Sequence, residues 1–214
     1  MSVPQPQPLP QPQTFTDRMR VRFKGLLDAI GGALNRLGIH PNAMTLTGVA
    51  GNAVAAVLLA QGRIVTGGVV VLAMGAFDAL DGTMARLRGK PTPWGSFLDS
   101  VADRYSELML FGGLAYYYTT QGDLRGVMLA YLAAAGAVLV SYTRAKAEAL
   151  GWEVKVGILT RFERYLVFAP SLVLNLPQVG LAIIAVGANI TALQRIFFAH
   201  RLAQQTPPDR EAHP

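Results

Sequence analysis

The chain has 214 residues, of which 51% are hydrophobic and 15% charged, and its mean hydropathy is +0.33. Soluble domains carry roughly 25% charged residues, so this composition excludes an ordinary soluble domain and indicates an integral membrane protein. The sequence has no cysteine, which excludes thiolate metal sites, and its net charge of +6 lies at the ends of apolar segments, which favours lipid headgroups over nucleic acid.

The N-terminal region divides into a tail and a helix. Residues 1–13 are a Pro/Gln tail, which we expect to be extended and disordered. In residues 14–40, basic side chains such as Arg18 and Lys24 alternate with apolar ones such as Phe23 and Leu27. This pattern predicts an amphipathic juxtamembrane helix in the membrane interface. An ordinary solvated helix is the alternative, but an apolar, spanning segment follows at once.

The rest of the chain predicts an all-α integral membrane bundle. Asn175 and Pro177 divide an uncharged stretch that is too long for one helix, so it is read as two. The resulting domain covers residues 41–203 and is followed by a polar tail, residues 204–214. Its six transmembrane helices are predicted at residues 42–60, 64–87, 94–119, 124–147, 158–176 and 178–202.

The placement of lysine and arginine predicts the topology. One end of the helices carries most of the basic residues, whereas the other end carries only Arg63 and Arg125. By the positive-inside rule, the basic end and both termini face the cytoplasm. We therefore expect a multi-pass protein of the inner cell membrane, with the loop between the second and third helices on the cytoplasmic side.

Four aspartates lie inside apolar segments, where an uncompensated carboxylate is costly. Asp78 and Asp81 are three residues apart, and Asp99 and Asp103 are four apart, so each pair shares one face of a helix. A short loop joins these two helices, which we expect to be antiparallel and adjacent. Carboxylates from both sides would then enclose two divalent cations, as in two-metal phosphoryl-transfer sites. Oxygen ligands favour a hard ion, and we expect Mg2+ or Mn2+.

The residues between the two pairs fit a phosphate-binding pocket. Gly82 and Gly95 allow close approach of a ligand, and Ala85 keeps the pocket open. Arg86 supplies a forked donor for phosphate. The full pattern is Asp78-x2-Asp81-Gly82-x2-Ala85-Arg86-x8-Gly95-x3-Asp99-x3-Asp103.

This segment, residues 78–103, resembles the signature of the CDP-alcohol phosphotransferase family, D-x2-D-G-x2-A-R-x8-G-x3-D-x3-D, at every fixed position. The resemblance implies transfer of a phosphatidyl group from a CDP-linked lipid, CDP-diacylglycerol, to an alcohol, with release of CMP. It implies Asp78, Asp81 and Asp99 as metal ligands and Asp103 as both metal ligand and general base. It also implies a homodimer. The residues implied in CDP-lipid binding are Asn42, Thr45, Gly82, Ala85, Arg86 and Thr92.

Three basic clusters, in residues 141–148, 161–164 and 191–195, bear on the identity of the acceptor alcohol. Several cations in one place favour an acceptor with its own phosphate, although topology-determining charge explains each cluster equally well. The first two clusters resemble segments of prokaryotic phosphatidylinositol-phosphate synthases, which implies inositol phosphate as the acceptor. Glycerol-3-phosphate, giving phosphatidylglycerol phosphate, is the alternative. The residues implied around the acceptor phosphate are Ser141, Arg144, Arg164 and Arg195.

Two other classes of protein share some of these features. Intramembrane carboxylates also mark ion paths, so a divalent cation transporter is a competing hypothesis. The aspartates cluster near one membrane face and adjoin Arg86, which argues against it. A prenyltransferase also uses aspartate-rich metal motifs, but the short link between the two pairs and the Asp-Gly-x2-Ala-Arg core argue against that class.

Overall fold

The computed structural model describes residues 15–89 and 92–205, and within them the chain is a bundle of seven helices. The predicted tail at residues 1–13 and most of the polar tail lie outside the described residues, as do the side chains of residues 15–24 and Asp81. The all-α prediction is confirmed, and the bounds of the six bundle helices agree with prediction within three residues. The helices are α1 (Phe15–Arg36), α2 (Pro41–Ala60), α3 (Ile64–Leu87), α4 (Pro93–Thr120), α5 (Leu124–Ala149), α6 (Arg161–Val173) and α7 (Pro177–Gln205).

Proline, hydroxyl caps and glycine set the ends of the helices. Pro41 and Pro93 lie in the first turns of α2 and α4, where a missing N–H costs nothing. The Thr92 hydroxyl accepts a hydrogen bond from the Gly95 N–H at 3.0 Å and so caps α4. Gly62 has a φ of 77° in the tight turn after α2, a conformation that other residues rarely adopt. These short connections return α3 against α2 as an antiparallel hairpin.

Four of the helices, α2, α3, α5 and α7, are long and apolar enough to cross a membrane. Helix α4 has 28 residues but carries four charged side chains among its first 15 residues. Helix α6 has only 13 residues and is about 20 Å long, less than the roughly 30 Å of a bilayer core. It is shorter than predicted because it ends before Asn175, whose φ of 56° is incompatible with a right-handed helix.

The two helices that carry the aspartate pairs are separated, which corrects the expectation that they pack on each other. Helix α2 packs against both α3 and α4, while α4 packs against α5, α5 against α7, and α6 against α3 and α7. Small residues bring backbones together at these contacts: Gly113 of α4 faces the Ala56 carbonyl of α2, and Gly136 of α5 faces Asn189 of α7.

Helix α6 packs on α3 and reaches α4 through its side chains. On the α3 side, the Tyr165 hydroxyl donates a hydrogen bond to the Leu72 carbonyl at 2.8 Å. On the α4 side, the Phe168 ring packs edge-on against Phe111, with ring centroids 5.2 Å apart. This arrangement places the first residue of α6, Arg161, at the level of the aspartates.

Helix α1 is fastened to the end of α3. The Asn35 amide donates to the Met84 carbonyl at 3.1 Å, and the Arg88 guanidinium donates to the Asn35 side chain and the Ile39 carbonyl, each at 2.7 Å. The contact fixes where the chain enters α2. The interfacial position of α1 stays a prediction.

Candidate active site

Three of the four predicted metal ligands meet in the structure. Asp78 projects from α3, and Asp99 and Asp103 project from successive turns of α4, and one carboxylate oxygen from each lies within 4.8 Å of the other two. Asp103 is buried, at 7% exposure, and the other two are half-buried. Asp81 belongs to the same face of α3, but its side chain lies outside the described residues. Three hard oxygen donors so close together repel one another, and a divalent cation between them would remove that repulsion.

Arg161 is the side chain that joins the carboxylates across the gap between α3 and α4. Its guanidinium donates to Oδ1 of Asp78 at 2.7 Å and forms an ion pair with Oδ1 of Asp103. On the other side of Asp103, a guanidinium nitrogen of Arg104 lies 3.2 Å from Oδ2. Both oxygens of this buried carboxylate are therefore held by a cation.

A second ion pair lies one turn further along α4. Oε1 of Glu107 accepts hydrogen bonds from Nε and Nη2 of Arg164, at 3.0 and 2.7 Å. Arg164 is only 2% exposed, so this pair lies inside the bundle. Oε2 of Glu107 is 3.8 Å from Nε of Arg104, and neither of these two buried atoms makes a hydrogen bond to a described residue.

Neither Arg161 nor Glu107 is among the site residues predicted from the sequence. The sequence could have placed Glu107 beside the aspartates, because Glu107 follows Asp103 by four residues and so shares its helix face. The signal for Arg161 was weaker. Arg161 lies three residues before Arg164 at the start of a helix, but only the packing of α6 on α3 and its side-chain contacts with α4 bring it to the aspartates.

The residues predicted to bind the CDP-lipid lie at the adjoining helix ends. A side chain on Gly95 would come within 3.1 Å of the Thr92 hydroxyl and 3.4 Å of Oδ1 of Asn42, so the start of α2 meets the start of α4. The Thr45 hydroxyl donates to the Pro41 carbonyl at 3.3 Å, one turn into α2. These polar groups surround the entry of α4, one turn before Asp99.

The other part of the predicted lipid site is the last two turns of α3. Gly82 and Ala85 follow Asp78 there and leave room beside the carboxylates. A side chain on Gly82 would come within 3.5 Å of the Arg86 guanidinium, which is exposed and donates to the Thr83 hydroxyl at 2.7 Å. Arg86 is therefore accessible to an anionic ligand while it is oriented by its own helix.

The predicted acceptor residues come together at the ends of α5, α6 and α7. Arg195 is buried and donates to the Val156 carbonyl at 2.9 Å and to the Val140 carbonyl at 2.5 Å. Arg144 and Arg164 both lie near enough to repel it electrostatically. Arg144 is half-exposed and forms an ion pair with Glu148 at 2.8 Å. The Ser141 hydroxyl, about one turn earlier on α5, donates to the Ala137 carbonyl at 3.1 Å.

Comparisons with a family profile and with individual relatives agree with one another. The sequence profile of the CDP-alcohol phosphatidyltransferase family matches residues 38–196. The chain is 34% identical to an archaetidylinositol phosphate synthase of Pyrococcus horikoshii over 187 residues, covering 86% of this chain and 96% of the relative. It is 36% identical to a phosphatidylinositol phosphate synthase of Streptomyces avermitilis over 200 residues, covering 85% and 81% of the two chains.

Solved structures of similar proteins include the phosphatidylinositol phosphate synthase of Mycobacterium tuberculosis. Its crystal structure with CDP-DAG bound matches with a TM-score of 0.76 and 28% identity, covering 88% of this chain and 98% of that one. Its complex with manganese and citrate matches with a TM-score of 0.75 and 28% identity, covering 88% and 93%.

Proposed function

The chain belongs to the CDP-alcohol phosphatidyltransferase family, and we propose that it transfers the phosphatidyl group of CDP-diacylglycerol to inositol phosphate, releasing CMP. The observation that carries this proposal is the position of the carboxylate cluster formed by Asp78, Asp99 and Asp103. Arg161 of α6 contacts this cluster, and Arg164 lies on the next turn of the same helix. The carboxylate cluster, which would bind a pyrophosphate through cations, thus lies beside an arginine cluster that suits the phosphate of the acceptor.

Asp78, Asp81, Asp99 and Asp103 are the proposed metal ligands. The three described carboxylates supply oxygen donors of the kind that Mg2+ and Mn2+ prefer, and a similar protein has been crystallised with manganese. Two cations fit the number of carboxylates. When bound, they would neutralise the pyrophosphate and stabilise the negative charge that develops on the departing CMP.

Asp103 is the proposed general base. It accepts the proton of the acceptor hydroxyl as that oxygen attacks the β-phosphorus and the bond from phosphorus to the CMP oxygen breaks. The contacts of its two oxygens with Arg161 and Arg104 keep the carboxylate in one orientation. Much of the benefit of this arrangement comes from positioning, since a carboxylate held by cations is a weak base.

The proposed CDP-lipid contacts divide between two helix ends. Arg86 is accessible and forked, which suits a phosphate oxygen pair. Gly82 and Ala85 supply room beside it, and the polar side chains of Asn42 and Thr92 converge on Gly95. Thr45 completes this proposed set, one turn into α2.

The proposed acceptor site is the cluster of Arg144, Arg164 and Arg195, with Ser141 beside it. The three guanidinium groups have two carboxylate partners, Glu148 on Arg144 and Glu107 on Arg164, which leaves one positive charge in excess that an acceptor phosphate would offset. Arg195 and Arg164 already use part of their donors on internal partners, so Arg144 is the most accessible of the three. This site favours a phosphorylated acceptor over free inositol or serine.

We also propose the membrane arrangement of the chain. Helices α4 and α6 complete a six-helix domain, residues 41–203, in which the charged half of α4 is neutralised by Arg161 and Arg164. Helix α1 lies in the interface, and the active site faces the cytoplasm of an inner membrane. The assembly is a homodimer. Cysteine labelling from either side of sealed vesicles tests the topology, because the chain has no cysteine of its own.

The test of the reaction is an acceptor panel. Purified protein in detergent is incubated with CDP-diacylglycerol, Mg2+ or Mn2+, and one of inositol phosphate, glycerol-3-phosphate, inositol or serine. We expect CMP release and a new lipid with inositol phosphate, and little with inositol or serine. A parallel series with an ether-linked CDP-lipid identifies the lipid class. Transfer to glycerol-3-phosphate alone would replace the proposed acceptor, and transfer to serine alone would refute the arginine argument.

A further inference from the structure

Helices α4 and α6 are joined by a ladder of three side-chain contacts. Its rungs are the ion pair of Asp103 with Arg161, the ion pair of Glu107 with Arg164, and the ring contact of Phe111 with Phe168. The residues on α4 are spaced by four, and those on α6 by three and four, in the same order along both helices. Each set therefore forms one face, and the two helices run parallel.

The middle rung is the best-defined polar contact of the three. Arg164 directs two nitrogens to the same Glu107 oxygen, at 2.7 and 3.0 Å, and both side chains are largely shielded from water. A buried ion pair of this geometry tolerates little sliding, because displacement leaves a charge without its partner. Phe111 and Phe168, by contrast, form an apolar contact that does not select a register as strictly.

The contact of Arg161 with Asp103 depends on the ion pair of Arg164 with Glu107. Arg161 is the first residue of α6 and reaches both Asp78 on α3 and Asp103 on α4. A shift of α6 along α4 by one residue would move Arg161 by about 1.5 Å, enough to lose one of these two contacts. Arg164 lies one turn further into α6, where its pairing with Glu107 resists that shift.

We propose that Glu107 is a positioning residue: by holding Arg164 it fixes the register of α6 on α4 and so places Arg161 between Asp78 and Asp103. Glu107 lies outside the aspartate motif and touches none of the three clustered carboxylates among its described contacts. The inference rests on the proposed function only for the roles of the carboxylates, since the register itself is a geometric property.

The first test measures the register directly. Cysteines replace Tyr116 on α4 and Leu166 on α6, which are both exposed, and nitroxide labels on them report the distance between the helices by pulsed electron paramagnetic resonance. We expect Glu107→Gln, which keeps the size of the side chain, to shift the distance by up to about 1.5 Å or to broaden its distribution. The matched control is Glu153→Gln, which removes an exposed ion pair with Lys155. An unchanged distribution in Glu107→Gln overturns the proposal.

The second test asks whether Glu107 acts through Arg161. We expect Glu107→Gln to lower kcat by about 10- to 100-fold, as loss of a supporting contact does at other sites, with the KM for the CDP-lipid changed less than about twofold. In the background of Arg161→Lys, the same substitution should cost less than about twofold more, because the residue that it positions is already altered. Full additivity of the two losses refutes the proposal.

These measurements separate this inference from the proposed function. If the wild-type chain releases no CMP with any acceptor, the proposed reaction fails, whereas the distance measurement still decides the role of Glu107. Loss of folded protein in Glu107→Gln with a normal kcat per folded molecule would assign the residue to stability alone and overturn the positioning role.

Discussion

Replacement of Asp103 by asparagine is the most informative single change in the candidate site. Asp103 is buried, and each of its oxygens contacts an arginine, Arg161 on one side and Arg104 on the other. Asparagine has nearly the same shape and retains one oxygen acceptor, so the packing of α4 is preserved. What is lost is a unit of negative charge at the centre of the cluster and a group able to accept a proton.

The expected loss has two contributions. A carboxylate about 4 Å from a cation contributes roughly 4 kcal/mol per unit charge at an effective dielectric constant of 20, and roughly 1 kcal/mol in water. The cluster lies between these limits, because Asp103 is buried while Asp78 and Asp99 are half-buried, so we expect the affinity for Mn2+ to fall by about 100-fold. Loss of general-base catalysis lowers the rate by about 10²- to 10⁴-fold even at saturating cation, or roughly 3–5 kcal/mol of barrier.

The two contributions are measured separately. Binding of Mn2+ to purified protein gives the affinity without turnover, and release of CMP at saturating cation gives the rate. Asp123→Asn is the matched control, because Asp123 caps α5 by accepting from the Gly126 N–H and asparagine caps equally well. Retention of more than about a tenth of wild-type turnover by folded Asp103→Asn protein would refute the assignment of Asp103 as the base.

Two further predictions concern packing and cation dependence. Gly113→Val places a side chain against the Ala56 carbonyl and should destabilise the α2–α4 contact by about 1–3 kcal/mol, measured by thermal unfolding in detergent. Gly112→Val is its control, because a side chain there meets no atom within 4 Å; equal melting temperatures would contradict the packing argument. Chelation with EDTA should abolish CMP release and excess Mg2+ or Mn2+ should restore it, so chelator-resistant release would exclude a role for bound cations.

The local features of the bundle could be predicted because each has a short-range cause. The spacing of Asp99 and Asp103 places them on one helix face whatever the rest of the chain does, and Pro93 starts a helix by its own geometry. The apolar lengths of α2, α3, α5 and α7 are properties of single segments. Such features depend on the residues within one element and need no knowledge of its neighbours.

The arrangement of the helices could not be predicted in the same way. Direct packing of α3 on α4 was expected from their short loop, but a short loop constrains only the helix ends. The backbone of Ala56 meets Gly113 closely enough to bring α2 onto α4, and Tyr165 anchors α6 to α3. The position of Arg161 depends on both contacts, which is why its sequence alone did not assign it to the aspartates.

The polar network at this end of the bundle separates the carboxylate cluster from the proposed acceptor site. Asp78, Asp99 and Asp103 lie on α3 and α4, whereas Arg144 and Arg195 lie on α5 and α7. Cations and carboxylates alternate from Asp103 toward the second group, through Arg104, Glu107 and Arg164. A substitution of Arg144 or Arg195 therefore changes the charge of the proposed acceptor site without breaking a described contact to the aspartates. For this reason the acceptor must be determined from the arginine cluster and its substrates, because the aspartate motif constrains only the part of the reaction that all acceptors share.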